Sequence, residues 1–375
     1  MPWSKEGSFM IDESSMSKRR KRRRDGVRRV ISYAVLCLIA LTMMGPFLWM
    51  ISTSFKERDD VMTKETHIIP WRVFSYIKTA DGPQRVRLLR DNGETARVRE
   101  VLPDGTVGEL RTVPSGDVVS RARYYLRGRN YPEAWKVGNL GRAYLNTVMI
   151  AFCITFGKVL TSSLAAFAFA RLEFPGRDKL FLAYLGTMMI PETVTLIPLF
   201  ILFRKIPEIL NTFLQTDYFT TSLYIGDYFV GTPMGVDSYF SLIAPGLFTA
   251  YGTFMLRQFF MSIPRDLEDA ARIDGCSSLG IWWRIILPLS KPALVTLVIF
   301  TFMGSWRMFV WPLIIVDNPK MMPLSVALKL FQDQYSVDMT LLMAATVIAL
   351  VPILLVYVAG QRYFTEGILL GAVKG

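Results

Sequence analysis

The chain has 375 residues, enough for two soluble domains, yet 51% of it is hydrophobic and much of that lies in long runs. Its net charge of +12 would suit nucleic acid, but the cations bunch beside the first apolar run, a placement that points to a membrane and away from nucleic acid. With one histidine, His67, and no HExxH, CxxC, GxSxG or GxxxxGK[ST], the chain lacks the parts of a metal-dependent or serine hydrolase and of an ATP site.

In chain order, residues 1–29 form a basic tail. Lys18 to Arg24 reads KRRKRRR and is followed by Arg28 and Arg29. Such a block beside a first span holds that end in the cytoplasm and rests on anionic lipid headgroups. Val30–Ser52 then predicts the first span; it is longer than a signal-peptide core and has no small-residue cleavage site, so it reads as uncleaved.

Residues 53–143 form the first extracytoplasmic loop, which contains His67, read as a surface residue. Within it, 82–129 alternates polar and apolar residues around Asn92-Gly93 and Asp104-Gly105, a pattern of β-hairpins. It predicts a small β-meander with too few apolar residues for a large core, leaning on a partner chain or mobile. Its many arginines do not oppose this topology, because segments longer than about 60 residues translocate largely regardless of charge.

Residues 144–363 predict a five-helix core, with spans at Tyr144–Ala170, Leu180–Phe203, Tyr239–Met261, Ala293–Val316 and Leu341–Tyr363. All six runs are 23 to 27 residues long, which at 1.5 Å per residue is roughly 35–40 Å, enough to span with some tilt. Alternation places 171–179, 262–292 and the tail 364–375 inside, and 204–238 and 317–340 outside. The segment 204–238 carries Tyr218, Phe219, Tyr224, Tyr228 and Phe229, which suit interfacial anchoring or stacking against a ligand or a docking protein. Cys37 and Cys153 fall in spans and Cys276 on the inside, so no extracytoplasmic disulfide is available.

Between spans four and five, 263–292 reads IPRDLEDAARIDGCSSLGIWWRIILPLSKP. Pro264 suits the first turn of a helix, and Asp266, Glu268 and Asp269 then favour its positive end. Ala270 and Ala271 permit close approach of another protein, Gly275 marks a turn, and Ser277 or Ser278 can cap a second helix that Pro288 and Pro292 stop. The pattern predicts a short projecting helix with a polar face ready to dock.

This segment resembles the EAA loop of importer-type ABC transporter permeases, roughly EEAA-x-x-DGA followed by I-x-LP. The match runs through Glu268, Asp269, Ala270, Ala271, Asp274 and Gly275, then Ile285-Ile286-Leu287-Pro288. Asp269 stands where the pattern usually has glutamate, and Cys276 where it has alanine. The stretches FAFARLEFPGRDKLF, MMIPETVTLIPLF, GSWRMFVWPLIIV and QRYFTEGILLGAVKG are similar to the carbohydrate-uptake branch, in particular to the second permease of maltose-type importers. The resemblance implies a cytoplasmic coupling helix; with the six apolar runs and the alternating insertion, which the resemblance does not cover, the expected fold is an all-α polytopic membrane protein with six transmembrane helices, that coupling helix and a small β-rich extracytoplasmic insertion. The resemblance implies no cofactor, and as partners a second permease subunit, cytoplasmic ATPase subunits and an extracytoplasmic solute-binding protein.

Three ionisable residues fall near the middle of predicted spans: Lys158, Glu192 and Arg307. A charge there costs about 2.5–3.5 kcal/mol on insertion scales, so it faces a cavity or a partner. Pro191 and Pro198 predict a broken helix around Glu192. Glu192 and Arg307 therefore either line the translocation route or pair with each other as a structural bridge, while Lys158 snorkels or faces the other permease. The family usually has asparagine at the position of Arg307, which raises an anionic cargo, such as a uronate or glycerol phosphate, beside a neutral sugar. A self-sufficient transporter or channel would need its own coupling-ion site and internal repeats, and the sequence displays neither.

Overall fold

The computed structural model describes residues 6–61, 71–79, 82–101, 107–226, 228–334 and 338–372; His67 and Asp104-Gly105 lie outside them. The chain divides into two compact units between Arg127 and Gly128.

The first unit begins with a long helix α1 (Glu6–Ser54) and a short α2 (Arg58–Val61). From Asp25 to Ser54 α1 is long and apolar enough to cross a membrane; its most apolar part is exposed, and Thr53 and Ser54 at its end are buried. The strands β1 (Trp71–Thr79), β2 (Gly82–Asp91), β3 (Thr95–Val101), β4 (Val107–Pro114) and β5 (Val118–Tyr124) form one antiparallel sheet, in the order β4-β3-β2-β1-β5. The Asn92-Gly93 signal falls at a tight hairpin: Asn92 N–H donates to the Thr95 carbonyl (3.1 Å), and Gly93 supplies the positive φ of +86°. Asp91 fixes this turn by accepting from Gly93 N–H (2.8 Å) and the Ser115 hydroxyl (2.6 Å). Among the described residues the sheet's buried core is small, consisting of Ile77, Val86, Ala96 and Val98 with Val113 and Val118 packed against it.

The second unit is helical. It comprises α3 (Asn130–Val137), α4 (Leu140–Arg171), α5 (Arg177–Gly186) and α6 (Glu192–Leu214). A two-stranded hairpin, β6 (Leu223–Ile225) and β7 (Tyr228–Gly231), precedes α7 (Tyr239–Ile243), α8 (Ala250–Met261), α9 (Asp266–Ile273), α10 (Ser278–Ile281) and α11 (Leu287–Leu289). The remainder is α12 (Lys291–Trp306), α13 (Val310–Ile315), α14 (Leu324–Gln334) and α15 (Met339–Ala372). Helix α4 packs against α8 and α12, burying Ala166, Phe167, Leu256, Phe260 and Leu297 in one cluster. Small residues let them meet: a Cβ on Gly252 would stand 2.7 Å from Ser162 Oγ and 3.2 Å from Leu297 Cδ1.

Two predicted spans differ from straight helices. The run Leu180–Phe203 is broken, with Arg177–Met189 and Glu192–Leu214 meeting at 98°. Pro191 sits at the break in extended conformation (ψ 135°), since proline offers no N–H to continue the helix and disfavours it in the preceding residue. Helix α6 also runs on past Phe203, so the predicted outer segment 204–238 begins as helix. The run Ala293–Val316 stops at Trp306 and resumes at Val310, with Arg307 as the C-cap (φ −93°, ψ 4°). Pro288 does not stop the helix before span five but lies within it. Just ahead of it the Leu287 N–H reaches back to the Trp282 carbonyl in a π turn, and Ser278–Leu289 then meets Lys291–Trp306 at 82°. Among the described residues four helices cross a membrane on length and composition, or six if each bent pair is one span. The fold is an all-α polytopic membrane protein with a small β-rich extracytoplasmic insertion.

Candidate functional site

The segment after α8 folds as a helix, a turn and a second helix because its local signals agree. Helix α9 carries Asp266, Glu268 and Asp269 in its first turn, where carboxylates favour the positive end of the helix dipole. It closes in a Schellman motif: Cys276 N–H donates to the Ala271 carbonyl (2.9 Å) and Gly275 N–H to the Arg272 carbonyl (3.0 Å). Gly275 takes φ +81° there, with open space around it, so its requirement is backbone conformation rather than room. Ser277 then caps α10, its Oγ accepting from Gly280 N–H at 3.2 Å.

The docking-type residues divide between two faces. Asp269, Ala270, Arg272, Ile273, Asp274 and Gly275 are exposed, and Ile273 is 87% exposed, an unusual state for an isoleucine without a partner. Glu268 and Ala271, one helical turn apart, point inward and are buried. Of the six residues expected to couple to an ATPase, Glu268 and Ala271 are thus turned toward the chain's own core, and the other four are exposed.

What Glu268 meets is Arg171, the last residue of α4. Its Nε lies 2.7 Å from Glu268 Oε1, with both side chains almost fully buried. The same guanidinium donates through Nη2 to the carbonyls of Phe260 (2.6 Å) and Ile263 (2.7 Å) at the end of α8. One side chain thus fastens the ends of α4 and α8 to the root of α9. Beside it lies a polar cleft of about 320 Å³ lined by Arg171, Glu173, Arg265, Glu268, Asp269 and Arg272. Arg257 adds a second tie, donating to the Phe169 carbonyl (3.2 Å) while its guanidinium lies over the Phe181 ring (4.2 Å). Sequence reasoning read Arg171 only as an inside charge; a cation at a span end carries no signal of which distant carboxylate it meets.

Two of the three mid-span charges sit at helix breaks, and Lys158 lies within α4. Glu192 opens α6 and Arg307 caps α12; both are exposed, and Arg307 Nε donates to the Met303 carbonyl (3.2 Å). Among the described residues no ion pair joins them, so pairing with each other is corrected. The carboxylate that acts on Lys158, on α4, is Glu192.

These features define a multi-pass membrane subunit with a projecting helix fastened to its core, and no group of three or more metal-ligating side chains among the described residues. Residues 158–369 match the family described as binding-protein-dependent transport system inner membrane component, and the chain belongs to that family. It is a permease subunit of an ABC import system in the inner membrane, not a catalytic enzyme. The chain is 33% identical over 230 residues to the arabinooligosaccharides transport system permease protein AraQ of Halalkalibacterium halodurans, covering 61% of this chain and 73% of that protein. It is 32% identical over 248 residues to the sn-glycerol-3-phosphate transport system permease protein UgpE of Yersinia pestis bv. Antiqua, covering 64% and 79% respectively. In fold it is similar to a chain of a bacterial ABC transporter involved in the import of the acidic polysaccharide alginate, with a TM-score of 0.62 at 18% identity over 91% of this chain and 98% of that one.

Proposed function

We propose that the chain forms half of the translocation path of an importer for an anionic carbohydrate or polyol phosphate. Its partners would be a second permease, cytoplasmic ATPase subunits and an extracytoplasmic solute-binding protein, the assembly typical of this family. Residues 1–29, 263–292 and 364–375 then lie in the cytoplasm. Asp269, Ala270, Asp274 and Gly275 form the docking side of α9, with Glu268 and Ala271 holding it in place.

The observation that carries the cargo reading is Arg307. It is an exposed cation where two helical segments of span five separate, whereas Lys158 has Glu192 as its charge neighbour. Arginine is suited to bidentate contact with carboxylate or phosphate. The likeness to the glycerol phosphate permease supports the same class. A neutral oligosaccharide is the second reading, favoured by the likeness to the arabinooligosaccharide permease.

Two measurements test the reading. Pull-down of the native chain from cells with all native partners should recover an ATPase subunit, and Ala270→Arg, on the exposed face, should lose it. Uptake by the assembled transporter should be competed by uronate oligosaccharides or glycerol phosphate and not by neutral arabino-oligosaccharides, with Arg307→Gln weakening the anionic competitor. Competition by neutral sugars alone would transfer the assignment to the second reading.

A further inference from the structure

The β-sheet presents two unlike faces. Register places buried Ile77, Val86, Ala96 and Val98 on one, together with Asp91 and Glu100. The acids there are engaged: Glu100 is hydrogen-bonded by Gln84 and lies 3.7 Å from Arg111, and Asp91 holds the hairpin turn. Glu109 precedes Leu110, which opposes Arg99, so it alternates to this same face.

The opposite face carries Lys78, Arg85, Arg87, Arg90, Arg97 and Arg99, all exposed, next to half-buried Phe74 and Tyr76. Among the described strand residues no acid shares it. Two cross-strand pairs are arginine opposite arginine, Arg87↔Arg99 and Arg90↔Arg97. Like charges directly opposite destabilise a sheet, and among the described residues its buried hydrophobic cluster is small, Ile77, Val86, Ala96 and Val98. One of these cations serves the fold, the Arg85 guanidinium lying 4.5 Å over the Phe74 ring, but a single-sign face of six cations goes beyond what that contact needs.

We propose that this basic face is the docking surface for an acidic patch on the extracytoplasmic solute-binding protein, an inference that rests on the importer assembly proposed above. Three observations select that occupant. The face belongs to an extended sheet, whereas small ligands are held in concave sites. The sheet is extracytoplasmic, whereas anionic lipid potential lies on the cytoplasmic leaflet, which the block at 18–24 already answers. And the family is described as binding-protein-dependent, which makes the binding protein the extracytoplasmic partner that must visit this side of the membrane in each cycle. Opposed surface charges raise association rates by about 10- to 1,000-fold and weaken with salt, which suits a partner that must arrive and leave in each cycle.

The test uses the complete importer in zwitterionic nanodiscs, titrated with its solute-binding protein while cargo-stimulated ATP hydrolysis is followed. Arg97→Glu with Arg99→Glu should raise the half-saturating binding-protein concentration about 10-fold or more at low salt and leave the maximal rate unchanged. The difference should shrink at about 0.5 M salt, and the milder Arg97→Gln with Arg99→Gln should fall between, which guards against a misfolded sheet. A photocrosslinker at Thr112, opposite Arg97, should trap the binding protein in the native chain. Unchanged half-saturation in both variants, or crosslinks only to lipid or to the second permease, would overturn the inference and leave the importer reading standing. A native complex indifferent to the binding protein would overturn both.

Discussion

Replacing Arg171 with Met should release α9 from the membrane core while leaving that core folded. Arg171 and Glu268 have side chains only 3% and 6% exposed, and their ion-paired atoms are 2.7 Å apart. Breaking such a pair from one side costs about 3–5 kcal/mol, because a charge stays buried without its partner. Arg171→Met also strips the Phe260 and Ile263 carbonyls of their donor. Glu268→Gln is milder, since it keeps the side chain's size and an oxygen beside Arg171 while removing the charge; about 1–3 kcal/mol is expected. An eight-residue helix has little stability alone, so the cost should surface as local opening of α9 rather than global unfolding. A loss of about 2 kcal/mol corresponds to about 30-fold faster amide exchange, readable by hydrogen-exchange mass spectrometry over residues 266–276 of the full chain. Pairing Arg171→Met with Glu268→Leu removes both charges together and should restore most of the protection. In the assembled importer the single variants should also transport less cargo per ATP hydrolysed. Native-like exchange in Arg171→Met, or a double variant as labile as the single, would refute the view that this pair seats the docking helix.

Three further outcomes follow from the geometry. Gly252→Val drives new carbons into Ser162, Thr249 and Leu297, already 2.7 to 3.2 Å from an added Cβ, and should cost about 1–3 kcal/mol, measured as a lowered Tm in detergent. Asp237 sits at φ +55° and accepts from the backbone N–H of Asp317 and Asn318, each at 2.8 Å. Asp237→Ala should therefore cost about 2–4 kcal/mol, whereas Asp237→Asn, which keeps an acceptor and tolerates that conformation, should cost about 1 or less by the same assay. The Ser115 hydroxyl, and then the Gly93 N–H, hold the Asp91 carboxyl below its ordinary 3.8. Its contribution is present above pH 3.8 and fades as pH falls through the lowered value; exchange at Gly93 should rise there, and Asp91→Asn should abolish the pH dependence.

The spans were legible because about 20 apolar residues in succession satisfy a bilayer whatever surrounds them. The break at Pro191 was legible too, since proline removes a donor locally. The break at Arg307 was not: the residues beyond it, Phe309 to Val316, remain apolar, and Pro312 among them suits the first turn of a resumed helix without fixing where the earlier one stops. In the insertion, alternation identified strands, but β5 returning to pair with β1 is a long-range choice that local pattern does not encode. The same limit applied to α9. Adjacent acids Glu268 and Asp269 read alike in sequence, and only a turn of about 100° per residue and the position of Arg171 send one inward and the other out.

The charges at the breaks show how the chain tolerates ionisable groups at membrane depth. Glu192 stands at the N-terminus of α6 and Arg307 at the C-cap of α12. A carboxylate at a helix N-terminus and a cation at a C-terminus each oppose the dipole end they meet, typically by about 0.3–1 kcal/mol. Breaking the two spans thus creates sites that partly offset the charges placed there, as well as backbone groups that water or cargo can satisfy. The two sites are not equivalent, however. Glu192 has a cationic neighbour in Lys158 on α4, whereas the polar contact of Arg307 is a carbonyl on its own helix. On the proposed reading the uncompensated charge of the path is therefore positive and sits in span five. Removing it should change which cargo is preferred, while removing Glu192 should change how readily the path forms.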